Sequence, residues 1–211
     1  MKRFLFILSL LMLSFIIAGS ARYLYGFSFF TKNNSTVTFN DEGLQQKLKS
    51  RSLIAETYAK QRGFNTNFCF LADMNIASGK NRFFVYDMKN DSVLLAGITA
   101  HGSCNYKVLT KAKFSNQPGC GCSAYGKYKV GYKYTGRFGT AYKLYGLDSS
   151  NSNAFDRFIV LHSYYLVPDN EVYPLPVCNS LGCVMVSDNF LKILSAKIDA
   201  SEKPVLLWVY Q

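Results

Sequence analysis

A chain of 211 residues, 49% hydrophobic and 18% charged, suits one packed domain plus a short targeting segment, and excludes disordered and fibrous classes. Its formal net charge of +11 is uneven: residues 101–150 carry eight Lys/Arg against Asp148 alone, so +7 of the excess falls there. Such a surface draws in carboxylates or polyanions and resists small cations.

Lys2 and Arg3 precede an apolar run from Phe4 to Ala18, broken only by Ser9 and Ser14 and followed by Gly19-Ser-Ala21. A basic start, an apolar middle and small residues at the end are the pattern of an export signal. The run is about fifteen residues, shorter than the ~20 of a spanning helix. The apolar residues after Arg22 leave an uncleaved anchor as the alternative. We assign residues 1–21 to a signal peptide or membrane anchor and 22–40 to a polar linker. Export to the periplasm or cell envelope, with anchoring in the inner membrane as the variant, implies an oxidising compartment in which some cysteines pair.

Residues 41–63 read as a helix. Asp41 and Glu42 supply negative charge at its start, and Lys60, Arg62 and Gly63 end it. Leu44, Leu48, Leu53, Ile54 and Tyr58 are expected to form its buried stripe. The next pattern is of strands. Arg82–Met88 and Ser92–Thr99 flank Lys89-Asn-Asp91 as a hairpin, and a loop rich in Lys, Ser, Asn and Gly runs from Ala100 to Ser123.

Tyr128, Val130, Tyr132 and Tyr134 then alternate with Lys127, Lys129, Gly131 and Lys133, which predicts one apolar and one basic strand face. Stacking on single-stranded nucleic acid needs exposed aromatics, and these point to a core, so no nucleic-acid partner is expected. A turn at 135–139 leads to a strand over Ala141–Tyr145. Arg157–Leu161 reads as a buried strand delivering His162, and a long Pro-containing loop separates it from Cys183. A short strand at Cys183–Val186, a helix capped by Asp188 with Phe190, Ile193, Leu194 and Ile198 inward, and a terminal strand at Val205–Tyr210 complete the chain.

The chemistry concentrates in residues 162–184. A thiol is only a few per cent ionised at neutral pH, and a neighbouring imidazole makes it a useful nucleophile by taking its proton. Cys183 and His162 bound one loop, whereas the other histidine, His101, shares no loop with Cys183. Gly182 permits close backbone approach, amides at Gly182 and Cys183 can face an oxyanion, and Ser180 can donate into the same pocket. The plainer alternative makes Cys183 a buried small residue or half of a disulfide with Cys178. Cys120-Gly-Cys122 has poor spacing for zinc with His101 and Cys104, so no metal site is expected. The pairing of Cys69, Cys104, Cys120, Cys122 and Cys178 stays open.

Ile159-Val-Leu-His162 followed by Ser180-Leu-Gly-Cys183-Val184 resembles the signature of the murein L,D-transpeptidase (YkuD-like) catalytic domain family. The likeness extends upstream in order through Arg82–Asp87, Ala100-His-Gly102, Phe114-Ser-Asn116, Gly126–Val130 and Gly136–Asp148, so residues 64–211 are read as the catalytic domain. It implies a mainly β fold with flanking helices, in the family's sandwich or barrel form. It also implies a covalent mechanism on peptidoglycan stem peptides, without cofactor or metal. Cys183 would attack the carbonyl of the third, diamino-acid residue of a tetrapeptide stem and release the terminal D-alanine. His162 would serve as base and then acid, oriented by the Ser163 carbonyl. The Gly182 and Cys183 amides would hold the oxyanion, with Ser180 and Tyr145 as substrate contacts. A second stem amine would then form a 3–3 crosslink.

Leu181 stands where many members have histidine, and Met185 where many have arginine or asparagine. A serine-to-cysteine difference at Cys120 and Cys122 hints at a disulfide particular to this lineage. The competing readings are an L,D-carboxypeptidase or amidase using the same thiol, and a non-catalytic wall-binding domain.

Overall fold

The structure, a computed structural model, describes residues 41–211; the expected signal peptide or anchor (1–21) and linker (22–40) lie outside the described residues. Helix α1, Glu42–Arg62, begins at Asp41, whose Oδ1 accepts the Leu44 N–H at 3.0 Å. It stops at Gly63, which adopts a left-handed φ of 73° and donates its N–H to Ala59 O. Its buried face is Leu48, Ser52, Ala55 and Ala59, and Leu53 and Ile54 are exposed. The expected stripe was therefore turned too far around the helix. Small residues win the inner face because they let the helix approach the sheet closely, while Arg51 lies over the Trp208 and Tyr210 rings.

Nine strands follow: β1 Phe68–Asp73, β2 Phe83–Asp87, β3 Ser92–Gly97, β4 Thr99–Ala100, β5 Gly126–Gly136, β6 Gly139–Gly146, β7 Val160–Ser163, β8 Val184–Val186 and β9 Leu206–Tyr210. They form one sheet in the order β3-β2-β1-β9-β5-β6-β7-β8-β4. Pairs β1–β9 and β7–β8 are parallel and the rest antiparallel. The two edge strands, β3 and β4, are separated in sequence by Ile98 alone. The sheet therefore curls until its edges meet at that residue, which is 1% exposed. Strand β1, in the middle of the sheet, was not anticipated.

Inside the curl lies the main core, with Phe70, Val85, Tyr128, Leu144, Leu161, Val184 and Leu207 from the strands. Helix α2, Asp188–Asp199, adds Phe190, Leu191 and Leu194 to it. Its cap is Ser187, whose Oγ accepts the Phe190 N–H at 3.2 Å, one residue earlier than the expected Asp188. The Phe190 ring packs so closely on β3 that a Cβ at Gly97 would lie 2.6 Å from it. The opposite sheet face is covered by α1 over β1, β2 and β9, and by Val167 and Val177 of the 164–183 loop over β4 and β8.

Two strands differ from expectation in ways that matter for the site. In β5 the pairing with β6 shifts by one residue between Val130 and Lys133. This bulge reverses the faces: Tyr128 and Val130 are core residues, whereas Tyr132 is exposed and Lys133 pairs with Asp199 of α2 at 2.7 Å. The single apolar tyrosine face read from the alternation is therefore two half-faces. Strand β7 starts at Val160 rather than at Arg157, because Phe158 adopts a left-handed φ of 58° and breaks the extended run.

Replacing Gly97 with Val should destabilise the protein by about 1–3 kcal/mol through overpacking against Phe190. The urea midpoint of unfolding checks this.

Candidate active site

The register of three strands assembles the site. Across β6 and β7, Ala141 faces His162 and Lys143 faces Val160; across β7 and β8, Leu161 faces Val184 and His162 faces Met185. Tyr142, Leu144, Leu161, Val184 and Val186 belong to the main core. Alternation turns Ala141, Lys143, Tyr145, Val160 and His162 to the other face. One step back from Val184 aligns Cys183 with Val160, so the thiol belongs to the His162 face.

His162 is 6% exposed, and its Nδ1 lies 2.9 Å from the Ser163 carbonyl. A carbonyl only accepts, so the proton sits on Nδ1 and Nε2 keeps its lone pair. The Phe138 ring stacks on the imidazole, with centroids 5.5 Å apart and planes 17° from parallel. Tyr164 meets Phe138 edge-on at 5.3 Å. Burial pushes the His162 pKa below the ordinary imidazole range, and the bond to Ser163 opposes this. The Cys183 thiol is half-buried and donates to Phe158 O at 3.6 Å. Desolvation raises its pKa, against a hydrogen bond from the Val160 main chain and the positive charges of Arg157 and Lys143.

A bonded loop presents the thiol. The Ser180 N–H donates to His101 O at 2.9 Å, and the Ser103 N–H donates to Ser180 O at 2.8 Å. Ser180 Oγ donates to Cys183 O at 2.8 Å and accepts the Gly182 N–H at 3.1 Å. Ser180, expected as a substrate contact, braces the loop through these bonds, and the Gly182 amide rests on that brace. Gly182 has φ +113°, and a Cβ there would lie 2.6 Å from Cys122 O, so only glycine fits. Leu181 is exposed beside it.

Tyr145 shares the site face, but its ring stacks on Phe155 at 4.9 Å, with Lys129 Nζ 4.6 Å from its centroid. His101 is remote in chemistry as well as in loop. Its Nδ1 lies 2.9 Å from Arg82 Nη2 and its Nε2 lies 3.0 Å from Leu109 O. Desolvation first, and the Arg82 charge second, lower its pKa to about 4, so it is neutral and accepts from the guanidinium. Cys104 and Cys122 form a disulfide; Cys69, Cys120, Cys178 and Cys183 are free thiols. The alternative Cys178–Cys183 pairing is therefore not adopted. Burial pushes the Cys69 thiol up to about 12 and keeps it inert.

Sequence reading passed over Arg157, Phe138, Lys143 and Phe158. Arg157 Nη1 donates to Ser115 O at 2.7 Å and Nη2 to Cys122 O at 2.5 Å, clamping the disulfide loop beside Gly182. Its signal was a lone arginine opening an otherwise apolar run to His162. Phe138 was read only as part of a turn, because nothing local to residues 135–139 reports contact with residue 162.

The fold and this face together define a β-rich domain with a thiol and an oriented imidazole at one sheet surface. A sequence model of the L,D-transpeptidase catalytic domain (YkuD_2) matches residues 40–210, and the chain belongs to that family. Its architecture among the described residues, mainly β sheet with two α-helices, is that family's fold. Among solved structures it is similar to an L,D-transpeptidase from Mycobacterium smegmatis, at 14% identity and TM-score 0.39, over 69% of this chain and 59% of that one. It is also similar to the helical cell shape determining protein Pgp2 from Campylobacter jejuni, at 13% identity and TM-score 0.43, over 68% and 47%. A third is an L,D-transpeptidase from Xylanimonas cellulosilytica, at 13% and TM-score 0.38, over 73% and 68%. The chain spans about half to three fifths of the length of the first two. No curated protein sequence matches it significantly.

The low pKa of His101 has a consequence for stability. Unfolded chains take up a proton near pH 6.5, whereas the folded imidazole does so only near 4. Between these values the unfolded state binds more protons, so stability falls as pH drops from about 6.5 to about 4. Denaturant titrations across that range should show this slope, and His101→Gln should flatten it.

Proposed function

We propose that the protein is an exported peptidoglycan L,D-transpeptidase that works through an acyl-enzyme on Cys183. The observation that carries this reading is the shared sheet face of the Cys183 thiol and an imidazole whose Nδ1 is tied to Ser163 O. Family membership over residues 40–210 supplies the reaction class.

Both pKa directions favour the neutral forms, a thiol and an imidazole, over a resting ion pair. The proton of Sγ therefore passes to His162 Nε2 as sulfur attacks the carbonyl of the third, diamino-acid residue of a donor stem. The Ser163 carbonyl stabilises the imidazolium that results, because it already accepts the Nδ1 proton. Main-chain amides at Gly182 and Cys183 receive the oxyanion, and the Gly182 N–H turns from Ser180 Oγ as negative charge develops. Collapse breaks the scissile C–N bond, His162 protonates the departing D-alanine nitrogen, and a thioester remains on Cys183. The amine of a second stem then attacks the thioester, His162 takes its proton and returns one to sulfur, and a 3–3 crosslink is made. The excess positive charge of residues 101–150 favours a wall polymer rich in carboxylates. The apolar run at Phe4–Ala18 supports delivery to the periplasm or cell envelope.

Incubating the reduced, folded protein with a carbapenem should add one covalent adduct, seen by intact mass and absent from Cys183→Ala. His162→Gln should slow its formation by about 10²–10⁴-fold. No adduct on the wild-type protein, with wall binding retained, would instead identify a binding module. Muropeptide profiles with and without the protein separate crosslinked products from the trimmed stems of a carboxypeptidase.

The base must be neutral to act, and burial lowers its pKa. Acylation should therefore persist below the ordinary imidazole pKa of about 6.5 and be lost as pH falls through the lowered value. Stopped-flow acylation rates against pH check this. A midpoint above 6.5 would contradict it.

A further inference from the structure

Four lysines of the basic 101–150 span lie in strands, and two of them have carboxylate partners. Lys127 pairs with Asp148 at 3.3 Å and Lys133 with Asp199 at 2.7 Å. Among the described residues Lys129 and Lys143 pair with no carboxylate; Lys129 lies over the single ring of Tyr145, whereas Lys143 lies among three. Its Nζ lies 4.7 Å from the Tyr134 ring centroid and 5.6 Å from those of Phe155 and Phe158. Aromatic faces attract an ammonium but do not use up its three N–H donors as oxygen acceptors would. The rings thus hold the cation in position with its hydrogen-bonding capacity unspent.

That cation shares the sheet face of the thiol, two strands away, and its positive charge acts on the thiol. Lys143 faces Val160 across β6 and β7, and Val160 aligns with Cys183. The other positive group near the thiol, Arg157, already spends Nη1 and Nη2 on the Ser115 and Cys122 carbonyls. Phe158 links the two features: its carbonyl receives the Cys183 S–H and its ring flanks Lys143. It does so at φ 58° and as a residue 74% exposed, a conformation costly for a bulky residue and of a kind that gathers at functional sites.

Resting on the acyl-transfer reading of Cys183, we propose that Lys143 binds a carboxylate of the acyl-donor peptide and so selects donors that carry one beside the scissile bond. Two carboxylates of a stem peptide have the right chemistry: the terminal one, on the departing residue, and one borne by the side chain of the diamino acid. A charge-assisted bond from an ammonium already held by rings costs little further ordering, and it fixes the peptide over the face that Lys143 shares with the thiol. The bulge in β5 is part of the device, because it turns Tyr134 to this face.

The test uses synthetic tetrapeptide donors in three forms: free acid, terminal carboxamide, and side-chain carboxamide of the diamino acid. Binding to Cys183→Ser is followed by NMR titration, and acylation of proteins bearing Cys183 by mass spectrometry. With Lys143 present, one of the two amidations should weaken binding about tenfold or more, and which one it is identifies the carboxylate. In Lys143→Met the free acid should bind about as weakly as that amide, with the difference between them lost, and Lys143→Arg should restore it. Alkylation of Cys183 by iodoacetamide in Lys143→Met reports whether the site remains folded. Equal losses for all three donors in Lys143→Met would make its role structural and overturn the proposal. So would unchanged discrimination, while acylation of the wild type by the free acid left the acyl-transfer reading standing. If no donor acylates or binds the wild type, that reading fails and the Lys143 proposal falls with it.

Discussion

The parallel register of β7 on β8 is the constraint on which the site depends. Leu161 must face Val184 for both to enter the core, and that single requirement turns His162 and Cys183 to the same outer face. A slip of one residue would bury one of the two polar groups and drive an aliphatic side chain into water. Hydrophobic burial at Leu161, Val184 and Val186 therefore specifies the chemistry indirectly. The shared face of the thiol and the imidazole is a by-product of a register held by apolar contacts.

That register is locked from the far side of the sheet. Arg82, 1% exposed, donates from Nε to Thr99 O and from Nη1 to Ile76 O, and bonds His101 through Nη2. Desolvation lowers its pKa to about 10, and Asp73 opposes this, so it remains a cation at neutral pH. His101 in turn carries the main-chain bond to Ser180, three residues before the thiol. A buried charge is tolerable only when it is bonded in several directions. Here those bonds tie the seam where the sheet's two edges meet to the loop that presents Cys183. On the opposite flank, Arg157 and the Cys104–Cys122 disulfide hold the backbone against which Gly182 packs. The thiol loop is thus braced from both sides by cations bonded to carbonyls.

Much of this was legible along the chain. The hairpin at residues 82–99, the caps near Asp41 and Gly63, the terminal strand and the pairing of a histidine strand with a Gly-Cys loop all follow from local pattern. The errors share a cause. Leu53 and Ile54 were assigned inward because a helical stripe counts hydrophobic residues, whereas close packing on a sheet rewards Ala55 and Ala59. The tyrosines of β5 were assigned to one face because alternation is blind to a bulge, and one extra residue reverses every side chain after it. Phe158 looked like the second residue of a strand, and no property of its side chain announces a left-handed backbone.

The sequence by itself determined the family, through the motifs around His162 and Cys183, since their order along the chain is readable. It also determined the excess of positive charge and the two helices that flank the sheet. Only the tertiary structure decided which groups surround the thiol. Lys143, Tyr134 and Arg157 come to the thiol's face by strand register, a bulge and a non-local clamp, and Phe138 comes to the imidazole by a hairpin turn. Each of these is a relation between residues distant in sequence, set by the packing of the whole sheet rather than by any local pattern.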